Sequence, residues 1–201
     1  MHRILKSVSF VFHPLIMPIL GVIFYFVKTP RFIDRDVIWA KLVSLSILTI
    51  ILPILSYFLL KTLGRVNSID LKSTKERIVP LILNAVVIVL VIQRILRPDP
   101  YIELYYFFVG ILISTLACLI LAFFKFKASI HMIAISGIFM FFIALSIHFS
   151  ININGTLALM CIITGAVATS RLHLKAHTYP ELIMGIFVGV FPQLILITKW
   201  L

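Results

Sequence analysis

Charge is what this chain has least of. Only 12% of its 201 residues are Asp, Glu, Lys or Arg, while 62% are apolar and the mean hydropathy is +1.16. That balance excludes a soluble globular domain, in which about a quarter of residues are charged, and places the chain in a membrane. Carboxylates are scarcest, seven against eighteen Lys and Arg, for a net charge of +11. Such an excess suits nucleic acid or the phosphates of anionic lipids. With no soluble domain to form a nucleic-acid surface, no nucleic-acid partner is expected, and lipid headgroups are the expected partners. Cysteines number two, Cys118 and Cys161, both in apolar runs, where a thiol behaves as a small buried hydrophobe and says nothing of redox compartment. No HExxH or paired-Cys spacing is present, which weighs against a zinc site built from His131, His173 and His177. No small-residue cleavage site follows the first apolar run, so it reads as a retained span rather than a signal peptide. Repeats and low-complexity tracts are also missing.

What is there is a series of apolar runs long enough to cross a bilayer, for which about 20 residues are needed. They are Ser9 to Val27, Leu42 to Leu60, Val79 to Ile95, Ile102 to Phe124, Ile130 to Phe149, Ile153 to Thr169 and Leu182 to Thr198. The expected fold is all-α, a polytopic bundle of about six to seven transmembrane helices forming a single integral membrane domain over 1–201. His13-Pro14 and Pro18 predict a kink in the first run, or a short half-helix before Pro14. Lys28 to Lys41 reads as a solvated connector, with Trp39 where an interfacial aromatic would sit. Pro80 reads as a first-turn residue of the third span. Arg94 to Pro100 predicts a tight turn and hence a hairpin, and Gly185 with Gly189 a small-residue packing surface.

Counting crossings puts three polar segments on one face: Lys61 to Arg77, Lys125 to His131, and Ser170 to Glu181. That face also collects His2, His13, His131, His173 and His177, leaving His148 near the other. It holds eleven of the eighteen Lys and Arg, and the positive-inside rule then assigns it to the cytoplasm, unless those cations serve a site instead, which leaves orientation open. Ionisable groups beside spanning segments are functional candidates by default. Arg supplies a bidentate fork for phosphate oxygens and Lys a compact charge. Of two imidazoles, one can serve as nucleophile and the other as acid, with a carboxylate fixing the nucleophile's tautomer. His173 and Lys175 read as exposed loop residues.

The order and spacing of these residues resemble the three signature motifs of the type 2 phosphatidic acid phosphatase superfamily. Its third motif, Ser-Arg, five residues, His, three residues, Asp, is answered by Ser170-Arg171, His177 and Glu181, with Glu for Asp, and Pro180 and Gly185 follow the same pattern. The second, Pro-Ser-Gly-His, is answered by Ala128-Ser129-Ile130-His131, which keeps the Ser and His. The first, Lys, six residues, Arg-Pro, is weakest: Arg77 precedes Pro80 by three residues, and Lys72 or Lys75 stands in for the lysine.

The resemblance implies a phosphatase-like core over about 62–201, preceded by extra N-terminal spans in 1–61. It implies that His177 attacks phosphorus to form a phosphohistidine, Glu181 orients it, and His131 protonates the leaving alcohol. Arg77, Arg171, Ser129 and one of Lys72 or Lys75 bind the phosphate oxygens, and neither cofactor nor metal is required. The expected substrate is a phospholipid or polyprenyl phosphate, and the expected setting a bacterial cytoplasmic membrane. The alternative is a protein of the same fold that binds or translocates phospholipid without hydrolysing it.

Overall fold

The computed structural model describes residues 2–66 and 73–201. Its elements, in chain order, are α1 (His2–Val11), α2 (Met17–Lys28), α3 (Arg35–Ser46), a π-helical turn (Ile47–Ile51), α4 (Leu52–Thr62), α5 (Thr74–Arg94), α6 (Ile102–Phe123), α7 (Ile130–His148), α8 (Asn154–His173) and α9 (Tyr179–Ile197). The described residues contain no strand. Among the described residues, six helices are long and apolar enough to cross a membrane, counting Arg35–Thr62 as one, and α2 is a shorter apolar helix.

The first predicted span is therefore two half-helices. Pro14 supplies no N–H and restricts its neighbour, so the chain leaves α1 before it and re-enters α2 with Pro18 in the first turn, where a missing N–H costs nothing. The π-helical turn in the rod from Arg35 to Thr62 has a similar origin. Pro53 has no N–H to return to Thr49, and the N–H of Leu52 reaches back to Ile47 instead. Pro80 differs from the first-turn expectation: Ser73 caps α5 by accepting from the N–H of Glu76 at 3.2 Å, so the helix begins at Thr74 and Pro80 lies inside it.

Packing centres on α7 and α9. Glycine removes the side chains that would keep them apart: a Cβ on Gly185 would stand 2.8 Å from the carbonyl oxygen of Ser129, and one on Gly189 would overlap Ser136 and the Ile133 carbonyl. The expected small-residue surface is thus the α7–α9 seam. The hairpin at Arg94 to Pro100 pairs α5 with α6. Stacked rings fill the middle, Phe107 on Phe141 at 4.2 Å and Phe24 on Phe142 at 3.9 Å between centroids. Of the two thiols, Cys118 is buried as expected, whereas Cys161 is exposed on α8.

Two ends of the bundle are chemically distinct. At one, Arg77, Lys127, Ser129, His131, Arg171 and His177 come together. At the other, the fully buried carboxylate of Glu103 accepts from Arg31 at 2.6 and 3.0 Å and from Tyr25 at 3.1 Å, with His148 Nε2 also at 3.1 Å. Arg31 is thus no simple solvated connector residue: it forks onto a buried acid 72 residues away. Trp39 is 66% exposed in α3.

Candidate functional site

Three helices begin at the cationic end. Arg77 lies in the first turn of α5, Ser129 is the N-cap of α7, and Thr178 is the N-cap of α9. Their starts are tied together, since Arg77 Nη1 donates to the Ala128 carbonyl at 2.7 Å and the Ser129 N–H donates to the Glu181 carbonyl at 3.0 Å. Each helix N-terminus carries about half a positive charge. Arg77, Lys127 and Arg171 add three full charges, so positive charge from side chains and helix starts converges at this end, chemistry that suits an anion.

The turns that deliver these residues follow one plan. After α6, Lys125 takes φ 61° and the N–H of Phe126 returns to the Leu121 carbonyl; after α8, Lys175 takes φ 50° and the N–H of Ala176 returns to the Arg171 carbonyl. Both are left-handed helix terminations of the Schellman type. They turn the chain sharply, and Lys127 Nζ then donates to the Ala176 carbonyl at 2.9 Å, joining the two turns. The helix α8 runs on to His173, four residues past the apolar run, so Arg171 sits in a helical last turn and is buried.

His177 is buried, and its Nδ1–H donates to Glu181 Oε2 at 2.9 Å. The same oxygen accepts from the Thr178 N–H at 3.0 Å, part of a capping box that opens α9. Glu181 is thereby fixed twice over. Burial holds the His177 imidazole down at about 4; the bond to Glu181 opposes this, and the charges of Arg77 and Lys127 add to it. At neutral pH the ring is uncharged, with Nδ1 bearing the proton and Nε2 a free lone pair.

His131, second residue of α7, completes the group. Its ring meets His13 at 5.5 Å between centroids, its Nε2 lies 3.2 Å from the Ser9 carbonyl, and it stands in the electrostatic field of Arg171 and His177. Ser129 is wholly buried with its Oγ capping α7. Ile130, where the motif that this segment resembles has glycine, packs its side chain against the apolar cluster around Leu81 and Cys118.

The structure thus gathers His177, Glu181, His131, Arg171, Arg77 and Ser129. Lys75 is exposed, two residues from Arg77 and so on another face of the first turn; Lys72 lies outside the described residues. Lys127 is the residue that sequence reasoning missed. Its signal was its place four residues before His131 in the second polar segment. Ser9, read as the start of the first span, and His13, counted among the histidines of this face, also border the cluster. His173 and Lys175 are exposed as expected, but His173 ends α8 instead of lying in the loop. Comparison of the chain with protein-family models, with curated proteins and with solved structures returns no match.

Proposed function

We propose that the protein is an integral membrane phosphatase acting on a lipid phosphate monoester or pyrophosphate. The observation that carries this reading is a neutral, carboxylate-backed His177 beside Arg77 and Lys127, in a cluster with Arg171 and three helix starts. Such a ring is a competent nucleophile at neutral pH. Its Nε2 forms a bond to phosphorus while the bond to the leaving oxygen breaks, and His131 delivers a proton to that oxygen. Water then displaces the phosphoryl group from His177, giving up a proton to His131, and inorganic phosphate leaves. Arg77, Arg171 and Lys127 hold the equatorial oxygens throughout, with charge stabilisation that grows in the transition state.

The order Arg77, Ser129, His131, Ser170, Arg171, His177 supports assignment to the type 2 phosphatidic acid phosphatase type of core, with Lys127 in the role of the motif lysine. A bacterial cytoplasmic membrane is the proposed setting. Phosphate release from a panel of phosphatidic acid, phosphatidylglycerol phosphate and polyprenyl phosphates by the purified protein tests the reading. Release should fall by at least about a thousandfold in His177→Ala; release that survives the substitution rejects the nucleophile.

The second reading, phospholipid binding or translocation without hydrolysis, is favoured by the Ser9 carbonyl at His131 Nε2, which occupies the proposed acid. Lipid binding that is lost in Arg171→Gln, with no phosphate release from any lipid, would select it.

A further inference from the structure

The cationic cluster is shut. Arg77, Arg171, His177, Ser129 and Ser170 are each less than a tenth exposed, whereas surface clefts of about 220 Å³ beside Arg31 and about 320 Å³ beside Lys41 open at the far end. A phosphorylated headgroup could not reach His177 as the chain stands. Something over the cluster must therefore withdraw.

The element holding on to the cluster's polar groups is α1. The Ser170 hydroxyl donates to the Leu5 carbonyl at 2.6 Å, so its proton is committed, and the Ser9 hydroxyl, 2.6 Å away, must be the donor between the two serines. The Ser9 carbonyl in turn accepts from His131 Nε2. Leu5 and Ser9 are one helical turn apart and define an inner face. On the other side Lys6 and Ser7 are exposed and Phe10 is 79% exposed, the arrangement of a helix lying at a lipid–water boundary. With ten residues, α1 is too short to be stable alone, and its principal packing is on α8. Pro14, in the break at 12–16, leaves it hinged rather than continuous with α2.

We propose that α1 is a lid: closed here, it fills the headgroup site with its own backbone carbonyls, and it swings about residues 12–16 to admit an anionic lipid headgroup from the bilayer surface. The Ser9 carbonyl acts as a stand-in acceptor for His131 Nε2 until the substrate's leaving oxygen takes its place. This rests on the phosphatase reading for its substrate, but the lid itself is testable without turnover.

The test joins Ser9→Cys and Ser170→Cys in a Cys118→Ala, Cys161→Ala background, since hydroxyls 2.6 Å apart mark positions that a disulfide can span. In nanodiscs, diethyl pyrocarbonate labelling of His131 and His177 is read by mass spectrometry, with exposed His173 as reference. Oxidation should slow labelling of His131 and His177 at least tenfold, leave His173 unchanged, and be reversed by dithiothreitol; equal labelling in both states overturns the lid. Phosphate release from phosphatidic acid vesicles should vanish and return in step; release unaffected by oxidation also overturns it. Labelling that responds while neither state releases phosphate keeps the lid and rejects the phosphatase. If the double variant does not fold, Ser170→Ala, which removes both hydroxyl bonds, should speed His131 labelling severalfold, and an unchanged rate rejects the proposal.

Discussion

Oε2 of Glu181 stands 2.9 Å from Nδ1 of His177 and 3.0 Å from the backbone N–H of Thr178, so one carboxylate oxygen both starts a helix and sets a histidine tautomer. Helix capping and orientation of the His177 ring are thus one interaction. The glutamate reaches the ring while remaining in the third position of the capping box.

Replacing Glu181 by Gln separates these roles. The amide oxygen can still accept from the Thr178 N–H, but it no longer carries the charge that favours Nδ1–H and a developing positive ring. Phosphate release should fall about a hundred- to ten-thousandfold with a thermal midpoint within a few degrees of the parent. Loss of folding instead of rate would show that the cap dominates.

The pH dependence follows from the same pair. His177 has its folded value near 4, below the ordinary 6.5, so the folded state binds fewer protons than the unfolded one between those values. Its contribution to stability is complete above about 6.5 and is lost as the pH falls toward 4. The neutral ring, proposed as the nucleophile, likewise persists down to that range. The acid limb of the rate profile should break near 4, and a break near 6.5 would contradict the burial of the ring.

Gly189 is the tightest point of the α7–α9 seam, while Gly165 on α8 has open space where a side chain would stand. Gly189→Val should destabilise by about 1–3 kcal/mol through overpacking, seen as a lower thermal midpoint. Gly165→Ala should be neutral or slightly stabilising, because alanine is the better helix former.

At the far end the ion pair is asymmetric. Glu103 has no solvent exposure, whereas the Arg31 side chain is 39% exposed and can turn to water once alone. Arg31→Met strands a buried carboxylate and should cost about 3 kcal/mol or more; Glu103→Gln should cost less. Thermal melts of the two variants in one detergent decide it, and a reversed order would mean that Glu103 is held by Tyr25 and His148 instead.

What the sequence disclosed were local patterns. Long apolar runs located the spans, Gly185 and Gly189 the seam, and the spacing from Ser170 to Glu181 the histidine–carboxylate pair, because each depends on residues within a turn or two. The position of Lys127 was not legible, since it follows from two left-handed turns at lysines, positions where glycine is the usual signal. Nor was the α5 start, because Ser73 caps the helix seven residues before the proline that drew attention. Arg31 and Glu103 were beyond reach for another reason: neither has a patterned neighbour, and only the packing of α2 against the bundle makes them partners.

That pairing also bears on how the protein is assembled. Glu103 belongs to a helix made long after Arg31 has left the ribosome, and a bare carboxylate at the mouth of an apolar helix is costly in lipid. Arg31 finds its partner only once α6 has arrived, and His148 not until α7 has followed. A chain lacking residues 1–31 would be damaged at both ends of the bundle, losing the Arg31 partner of Glu103 at one and the α1 contacts with Ser170 and His131 at the other.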